Sequence, residues 1–375
     1  MDKRKIVICG GHFSPSISLI EELKTRKKFE IHYIGRRHAL EGDKSLSFEA
    51  ISLQDHEIFF YTIITGRLER YLSISQILSL SKIPLGLAQS IYLLFKIKPD
   101  IVVSFGGYVC LPVCIAAWII GIPVVTHEQT PVLGLSNRII CRFAKYLCLS
   151  WEKTKHIPKH IAIAVTGNPV RKSILKPDKS NFKYYGDGSL PLIYITGGSL
   201  GSSSINKIVG KILPQLVCRY RILHQCGDAN NGSDYKMLLR IKDTLPLKTK
   251  INYSVVKHLE PDSVGEILRT ASIMVGRSGA NTVSEVAISQ IPAIFIPLPW
   301  SAENEQEYNA DVLIKAGVAL MIKQQDLTGE KVMLTVNYMY DNLDLFKRKT
   351  SETYKLYPKN AAAKIADVIE GVISS

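Results

Sequence analysis

Four short glycine-rich segments each follow a run of apolar residues, and this arrangement is typical of phosphate binding in α/β proteins. Glycine lets the backbone approach a phosphate closely, and a helix that starts after the loop presents free N–H groups and a partial positive charge, worth about 0.3–1 kcal/mol per exposed anion. One such loop is commonly only a tight turn, whereas four favour a nucleotide site. They are Gly10-Gly11, Gly106-Gly107, Gly197–Gly201 and Arg277–Ala280.

Two residues near these loops could take a proton from an attacking hydroxyl. His12 directly follows Gly10 and Gly11, and an imidazole titrates near neutral pH. A general base contributes roughly 10²–10⁴-fold to a rate. A single His at a helix start equally serves as a structural hydrogen-bonding residue, so both interpretations stay open. Glu128 is the second candidate base, or else a residue that orients the substrate.

Other nucleotide-binding classes fit the loops poorly. Neither half of the chain has the GxGxxG spacing of dinucleotide sites, and Gly35 is followed by two Arg rather than by an acid for the ribose. The chain has no GxxxxGK[ST] loop and no DxD motif. Helix N-termini and Arg side chains would therefore stabilise the negative charge of a diphosphate. The sequence predicts no essential metal and no cofactor.

These loops must be positioned by a parallel sheet, because short Ile- and Val-rich runs alternate with longer segments of helical period. Uninterrupted apolar runs indicate strands that are buried on both faces. Both halves open with a strand, a double Gly and a helix, so we predict an α/β fold of two Rossmann-like domains separated by a cleft. The predicted strands are Lys5–Cys9, Ile31–Ile34, Ile101–Ser104, Val124–Thr126, Leu147–Leu149, Leu192–Thr196, Ile222–Gln225, Ile251–Val255, Ser272–Val275 and Ala293–Ile296.

The domain boundary is expected in a segment rich in Lys, Pro, Gly, Ser and Asp. We predict an N-terminal domain over 1–167, a linker over 168–190, a C-terminal domain over 191–360 and a final helix in 361–375 that suits either domain. The segment Val109–Val125 is uncharged and almost long enough to cross a bilayer. Because Gly121 and Pro123 form a turn inside it, a buried helix followed by a buried strand is the better interpretation.

Composition limits the partners and the compartment. The 375 residues carry a net charge of +14, from 47 Lys and Arg against 33 Asp and Glu, which indicates an anionic partner without identifying it. The basic residues are scattered rather than interleaved with aromatic ones, so a nucleic-acid-binding protein without catalysis is the weaker alternative. The seven Cys form no CxxC pair, and the N-terminus has no apolar signal core. Both features favour the reducing cytoplasm.

The motifs together resemble the MurG family, bacterial transferases that add N-acetylglucosamine to lipid I. This resemblance implies a GT-B fold and inverting, metal-independent transfer from UDP-N-acetylglucosamine to the C4 hydroxyl of the muramoyl sugar on a polyprenyl diphosphate. The product would be lipid II for peptidoglycan synthesis, made at the cytoplasmic face of the inner membrane. The motifs are Gly10–His12, Gly106–Val109, Gly121–Val125, His127–Gln129, Gly134-Leu135, Asn137, Gly167–Arg171, Gly197–Gly201, His224-Gln225, Arg277–Ala280, Thr282–Glu285, Gln306 and Asn309-Ala310.

The resemblance also implies a role for particular residues, with the donor on the second domain and the acceptor on the first. His12 and Glu128 are the candidate catalytic residues. Glu285 would accept hydrogen bonds from the ribose hydroxyls, and Ser199 would hold the diphosphate. The donor set is Arg171, Ser199, Leu259, Ala280, Asn281, Thr282, Val283, Ser284, Glu285, Gln306 and Asn309. The acceptor set is Gly10, Gly11, Gly106, Gly107, Tyr108, His127, Thr130 and Asn137.

The acceptor side departs from the family pattern. The first loop lacks an additional Gly-Gly-Thr, and Thr130-Pro131 stands where the family usually has Asn-Gly. A GT-B transferase with another lipid acceptor, such as a diacylglycerol, is therefore kept as the alternative. A lipid acceptor requires contact with an anionic membrane surface, and Gly66–Lys98 combines basic with apolar residues for it. A core helix with a solvated basic face explains the same segment.

Overall fold

A computed structural model of the chain describes residues 3–11, 13–35, 58–65, 82–177, 189–198, 200–228, 230–301 and 304–375. The chain divides into two compact units. Unit 1 consists of residues 1–171 and 360–375, and unit 2 consists of residues 172–359. The chain therefore passes from unit 1 to unit 2 once and returns to unit 1 for its last helix.

Unit 1 is built on a seven-stranded parallel sheet in the order β3-β2-β1-β4-β5-β6-β7. Its strands are β1 (Arg4–Cys9), β2 (Phe29–Gly35), β3 (Phe59–Thr62), β4 (Ile101–Ser104), β5 (Val124–Glu128), β6 (Tyr146–Leu149) and β7 (Ala162–Val165). Its helices are α1 (Phe13–Arg26), α2 (Lys82–Ile97), α3 (Cys110–Ile119), α4 (Leu135–Ile140) and, at the C-terminus, α14 (Ala361–Ser374).

Unit 2 is built on a six-stranded parallel sheet in the order β10-β9-β8-β11-β12-β13. Its strands are β8 (Leu192–Thr196), β9 (Arg221–Gln225), β10 (Tyr253–Val256), β11 (Ile273–Gly276), β12 (Ala293–Phe295) and β13 (Ala319–Met321). Its helices are α5 (Lys172–Leu175), α6 (Ser203–Arg219), α7 (Ser233–Thr244), α8 (Leu247–Lys250), α9 (Val264–Thr270), α10 (Ala280–Ser289), α11 (Glu305–Lys315), α12 (Gly329–Asp341) and α13 (Leu343–Leu356). Single 3₁₀ turns span Pro261–Ser263 and Gln324–Asp326.

Apolar side chains on both faces of β1 show why the sheet is covered on both sides. Ile6 and Ile8 join a core cluster with residues of α1 and α14, whereas Val7 and Cys9 join another with residues of α2 and α3. Successive side chains of a strand point to opposite faces, so an uninterrupted apolar strand requires two cores. The expectation of buried parallel strands is therefore confirmed.

All ten predicted strands are present, with ends that differ by at most two residues. The three that sequence reasoning missed, β3, β7 and β13, all lie at sheet edges. Edge strands have one neighbour instead of two, so their side chains stay partly exposed, and these three strands are only three or four residues long. In β7, for instance, Ile163 and Val165 are exposed.

The uncharged segment Val109–Val125 forms the predicted helix and strand, α3 followed by the start of β5. Among the described residues, no helix is both long and apolar enough to cross a membrane.

Part of the predicted linker is structured, since α5 packs against α9 and α10 of unit 2. The second unit therefore begins at Lys172, inside the segment expected to be linker.

The final helix, left open by the sequence, packs on unit 1. Ile365, Ala366 and Ile369 of α14 are fully buried in the core cluster that contains α1. Arg26 at the end of α1 forms ion pairs with Asp367 (2.8 Å) and Glu370 (3.0 Å) of α14 and with Glu22 (3.1 Å) of its own helix. Apolar burial and a half-buried ion-pair cluster thus fix α14 to α1.

The seven Cys are free thiols, and six of them are buried as expected from their apolar neighbours. Cys218 is the exception and is exposed. Burial raises the pKa of Cys148 to about 12, and burial together with the Glu128 carboxylate raises the pKa of Cys141 to about 12. These buried thiols therefore behave as small apolar side chains rather than as nucleophiles.

Candidate active site

The two glycine pairs of unit 1 meet at the carboxyl ends of β1 and β4. The N–H of Gly11 donates to the carbonyl of Gly106 (3.0 Å). A Cβ atom on Gly107, whose φ is +84°, would lie 3.2 Å from the N and Cα of Gly11. The two loops can approach only because neither has a side chain there. His12, the candidate base that follows Gly11, lies outside the described residues.

The carboxylate of Glu128, at the end of β5, accepts four hydrogen bonds. One oxygen accepts from the N–H (3.0 Å) and the hydroxyl (2.8 Å) of Thr130. The other accepts from the N–H of Gly134 and from Nδ2 of Asn137, both at 2.9 Å. A carboxylate offers about four acceptor positions. Glu128 is therefore engaged in ordering the 130–137 segment, which agrees better with an orienting residue than with a base.

Asn137, near the start of α4, links this segment to the second glycine pair. Its Nδ2 also donates to the carbonyl of His127 (3.0 Å), and its Oδ1 accepts from the hydroxyl of Thr126 (2.8 Å). A Cβ atom on Gly106 would lie 3.1 Å from that Nδ2. His127 is buried, and its Nε2 donates to the carbonyl of Gly167 (3.0 Å).

The structure thus brings together most of the predicted acceptor set at one edge of the unit 1 sheet. Tyr108 is half-buried in the turn that follows Gly107, before α3. The hydrogen bonds described above show that the polar side chains of this group mainly support the loops.

In unit 2 the segment Gly197–Ser202, called here the diphosphate loop, connects β8 to α6. Gly198 and Gly201 have φ values of +87° and +80°, which favour glycine. A Cβ atom on Gly201 would collide with the carbonyl of Cys226, so the loop lies directly against the end of β9. Ser199 itself lies outside the described residues.

The start of α6 is uncapped by side chains. Ser202 occupies the N-cap position, yet its hydroxyl makes no capping hydrogen bond. The first N–H groups of a helix have no partner within the helix. The beginning of this 17-residue helix therefore offers donors and a positive dipole end at the carboxyl edge of the sheet.

Arg277, at the end of β11, is a residue to which sequence reasoning assigned no role. Its side chain is buried, and Nη2 donates to the hydroxyls of Ser202 (2.8 Å) and Ser204 (3.0 Å). Nη1 donates to the carbonyls of Ile296 (2.8 Å) and Pro297 (3.0 Å). Burial lowers the pKa of the guanidinium to about 10, so it remains charged at neutral pH. The sequence signal that could have identified Arg277 was its place in the motif Arg277–Ala280.

The segment Ala280–Glu285 forms the first turn and a half of α10, directly after the uncapped Gly279. Ala280, Asn281 and Thr282 are half-buried, whereas Val283, Ser284 and Glu285 are buried. The Ser284 hydroxyl donates to the carbonyl of Ala280 (2.8 Å), which anchors the turn. Within this part of the predicted donor set, the first three residues are therefore more accessible than Glu285.

Gln306 and Asn309, at the start of α11, contact the turn after Arg277. Oε1 of Gln306 accepts from the N–H of Leu298 (3.0 Å), and its carbonyl accepts from the hydroxyl of Ser278 (2.8 Å). Nδ2 of Asn309 donates to the carbonyl of Ser278 (3.2 Å), while its buried Oδ1 has no partner among the described residues. These amides connect α11, the β12–α11 loop and the β11–α10 turn.

A buried polar network lies behind the diphosphate loop. Sequence reasoning identified its His224-Gln225 motif but not the residues that bond to His224. Nε2 of His224 contacts Oδ1 of Asn206 (3.0 Å), and Nδ1 contacts the hydroxyl of Tyr253 (3.1 Å). Nδ2 of Asn206 donates to Asp234 and to the carbonyl of Cys226, both at 3.0 Å. Oδ1 of Asp234 accepts from Ser203 (3.4 Å) at the start of α6.

Leu259 and Arg171 are the remaining residues of the predicted donor set. Leu259 is buried shortly after β10, at the same edge of the unit 2 sheet as the diphosphate loop. Arg171 is the last residue of the N-terminal part of unit 1, and its Nη2 lies 3.5 Å from the hydroxyl of Ser14 in α1. Among the described residues, no group of three His, Cys, Asp or Glu is placed to hold a metal ion.

Two domain models of one protein family match successive parts of the chain. Residues 9–148 match the glycosyltransferase family 28 N-terminal domain, and residues 192–369 match the C-terminal domain of the same family. A UDP-N-acetylglucosamine–N-acetylmuramyl-(pentapeptide) pyrophosphoryl-undecaprenol N-acetylglucosamine transferase from Thermoanaerobacter sp. is 32% identical over 369 residues, 97% of each chain. A Clostridium botulinum protein of the same name is 30% identical over 93% of this chain and 95% of its own.

The chain belongs to the MurG family. The crystal structure of MurG from Acinetobacter baumannii matches 99% of this chain and all of its own, with a TM-score of 0.71 and 25% identity. UDP-GlcNAc 2-epimerase from Neisseria meningitidis shares the fold, with a TM-score of 0.64 and 13% identity. The resemblance drawn from the motifs, the two-domain GT-B fold and the assignment as a glycosyltransferase are therefore confirmed.

Proposed function

We propose that this protein transfers N-acetylglucosamine from UDP-N-acetylglucosamine to the C4 hydroxyl of the muramoyl sugar in lipid I, which gives lipid II for peptidoglycan synthesis. The observation that carries the proposal is the 32% identity over 97% of both chains to a transferase with this donor and acceptor in its name. The same relatives favour lipid I over a diacylglycerol, despite the altered first loop.

The donor is assigned to unit 2. The diphosphate would lie at the uncapped start of α6, beside the diphosphate loop, where backbone N–H groups replace its hydration shell. The ribose would contact Glu285, the uracil would lie near Leu259, and the sugar hydroxyls would contact Gln306 and Asn309. The buried Oδ1 of Asn309, which has no hydrogen-bond partner in the described part of the chain, supports the last assignment, because buried polar atoms normally have one.

The acceptor is assigned to the loops of unit 1, and His12 is assigned the role of base. His12 takes the proton of the attacking hydroxyl, a new bond forms between that oxygen and the anomeric carbon, and the bond from that carbon to the diphosphate breaks. UDP leaves with the electron pair, and attack from the opposite face inverts the anomeric carbon. Glu128 and Asn137 hold the 130–137 segment beside the glycine pairs. Arg171, the last residue of the motif Gly167–Arg171, is assigned to the nucleotide.

No metal is required in this proposal, because helix N-termini and Arg side chains meet the charge of the leaving diphosphate. Labelled UDP-N-acetylglucosamine and purified lipid I, incubated with the protein and a chelator, should give labelled lipid II with a β linkage. Absence of transfer to lipid I, with transfer to diacylglycerol instead, would refute the acceptor. Transfer that requires an added divalent cation would refute the metal-free mechanism.

The role of His12 as the base is tested by substitution. In His12→Ala the turnover rate should fall roughly 10²–10⁴-fold while UDP affinity is retained.

We also propose that unit 1 binds the cytoplasmic face of the membrane peripherally, which access to a lipid-linked acceptor requires. On α2 the side chains of Tyr92 and Phe95 are 66% and 60% exposed, close in sequence to Lys96 and Lys98. On the neighbouring α3, Trp118 is 57% exposed and stacks on Phe143, which adjoins Arg142. Exposed apolar groups flanked by basic residues suit an anionic interface. Arg67 and Arg70 of the predicted segment lie outside the described residues.

Vesicle flotation tests this membrane proposal. The protein should float with vesicles that contain anionic lipid, less with neutral ones, and less in high salt. A Tyr92→Ser, Phe95→Ser double variant should float less, whereas Leu247→Ser, a change at an exposed apolar residue of unit 2, should behave as the unchanged protein does. Equal flotation of both variants would contradict the assignment of the membrane surface to α2 and α3.

A further inference from the structure

Arg277 connects two loops that have different tasks in the proposed function. Its Nη2 holds Ser202 and Ser204, at the junction of the diphosphate loop and α6. Its Nη1 holds the carbonyls of Ile296 and Pro297, where β12 passes into the β12–α11 loop. The planar guanidinium keeps these two sets of acceptors at a fixed separation. One side chain thus sets the distance between the two loops.

The β12–α11 loop is in turn linked to the residues assigned to the sugar. The N–H of Leu298, next to Pro297, donates to Oε1 of Gln306 (3.0 Å). Ser278, next to Arg277, donates through its hydroxyl to the carbonyl of Gln306 (2.8 Å) and accepts at its carbonyl from Asn309 (3.2 Å). Hydrogen bonds and the neighbouring peptide groups of Ser278 and Leu298 therefore link Arg277 to both sugar-binding candidates.

The bond to Ser202 also affects the helix terminus. A Ser at the N-cap normally uses its hydroxyl to accept from an N–H of the first turn. In this protein that hydroxyl accepts from Arg277 instead, and no capping hydrogen bond forms. All four hydrogen bonds of the guanidinium go to neutral oxygen atoms, so its positive charge adds to the field at the uncapped end of α6.

We propose that Arg277 is a positioning residue that couples the diphosphate loop to the sugar-binding residues of α11. It touches neither part of the donor itself. By bridging Ser202 and Ser204 to Ile296 and Pro297, it places the first turn of α6 and the β12–α11 loop at the separation that one sugar nucleotide spans. This inference rests on the proposed function, because it assumes that the two loops bind the two parts of one donor.

The test compares UDP with UDP-N-acetylglucosamine as ligands of the full-length protein by calorimetry. In Arg277→Gln, both ligands should bind more weakly, and UDP-N-acetylglucosamine should lose at least about tenfold more affinity than UDP, the typical effect of one lost charge-assisted hydrogen bond. Arg277→Lys keeps the charge, but the three N–H groups of its one nitrogen cannot reproduce the four bonds that the guanidinium makes from Nη1 and Nη2. It should therefore show the same selective loss. Arg219→Lys, at an exposed site near the far end of α6, should bind both ligands normally.

Each outcome decides between roles. If Arg277→Lys behaves as the unchanged protein does, the residue supplies charge only and the coupling is refuted. If both variants lose equal affinity for both ligands, Arg277 supports the diphosphate loop alone and the coupling is again refuted. If the unchanged protein binds neither ligand, the proposed function fails first.

A second variant covers the case in which replacement of a buried Arg unfolds unit 2. The double change Ser202→Ala, Ser204→Ala removes the hydroxyls on the diphosphate side and leaves the guanidinium bonded to Ile296 and Pro297. It should reproduce the selective loss of UDP-N-acetylglucosamine affinity, with Ser351→Ala on exposed α13 as the control. Normal affinity of the double variant for both ligands would overturn the proposal.

Discussion

The imidazole of His224 is fully buried in unit 2, and its neighbours decide which ring nitrogen carries the proton. Oδ1 of Asn206 is an acceptor because Nδ2 of the same amide donates to Asp234 and to a carbonyl. Nε2 of His224 must therefore carry the hydrogen, and Nδ1 accepts from the Tyr253 hydroxyl. The ring is thus held neutral in one tautomer.

Burial lowers the pKa of His224 from 6.5 to about 3, which makes the stability of unit 2 depend on pH. Between these values the unfolded chain binds a proton that the folded chain does not, so the free energy of unfolding falls as the pH falls. The expected slope is about 1.4 kcal/mol per pH unit. Chemical denaturation between pH 6.5 and 4, followed by circular dichroism, should show this slope in the unchanged protein and lose it in His224→Asn. Parallel slopes would exclude His224 as the source.

Glu128 gives a second prediction for a single side chain. A Gln at this position has one acceptor oxygen and an NH₂ group, which would face two of the donors that now contact the carboxylate. Glu128→Gln should therefore lower the free energy of unfolding of unit 1 by about 1.5–3 kcal/mol. UDP binding should be unaffected, because the donor is assigned to unit 2. Denaturation and calorimetry on the same sample test both parts, with exposed Glu152→Gln as the control. Unchanged stability would show that the four hydrogen bonds contribute little.

Sequence reasoning located most of the site's segments but not the partners of their side chains. Glu128 and Asn137 were found from a motif, yet nothing in their spacing showed that they bond to each other. Arg277 was found as part of a glycine-rich loop, and its link to Ser202 spans 75 residues of sequence. Such contacts follow from the order of strands in the sheet, which places β11 beside β8. The hydrophobic periodicity of a single segment carries no information about the order of strands in the sheet.

At the scale of elements, all the central strands were predicted from their apolar runs, whereas three of the four edge strands were missed. The loops depend on glycine instead, because only glycine fits where two strand ends meet. Gly201 combines a φ of +80° with close contact to the carbonyl of Cys226 and to Gly227. The diphosphate loop and the end of β9 are therefore a single packed structure rather than two independent turns.

Gly201→Ala should displace the diphosphate loop. An L-residue with this positive φ costs about 1–2 kcal/mol, and the new methyl group would also collide with the backbone of Cys226. The stabilisation that UDP gives in a thermal melt should be mostly lost, while unit 1 is unaffected. Gly371→Ala is a matched control, since a Cβ there meets no atom within 4 Å and a helix interior gains about 0.5–1 kcal/mol from Ala. Equal UDP responses in the two variants would contradict the prediction.

At the scale of the whole molecule, the last helix belongs to the first unit. Removal of residues 360–375 would expose the part of unit 1 that now packs on Ile365 and Ile369, each worth about 1.5–3 kcal/mol of apolar burial. Because a domain is stable by only about 5–15 kcal/mol, this loss should greatly increase the unfolded fraction of unit 1. Limited proteolysis should then digest unit 1 and leave a resistant fragment close to residues 172–359.

A single substitution tests the packing of α14 on unit 1 without removing the helix. Ile369→Ala should lower the free energy of unfolding of unit 1 by about 2–5 kcal/mol, the usual cost of a large-to-small change in a core. Ser374→Ala on the exposed end of α14 should have little effect. A truncated protein as resistant to protease as the full chain would show that α14 is dispensable for unit 1.

The return of the chain to unit 1 has a consequence for how the protein could be split. A cut between residues 177 and 189 leaves one fragment with most of unit 1 and helix α5, and a second with the rest of unit 2 plus α14. The second fragment still carries the helix that completes the core of the first. The two halves, produced separately, should therefore reassociate without a tether, and a pair of reporter fragments fused to them would signal that reassembly.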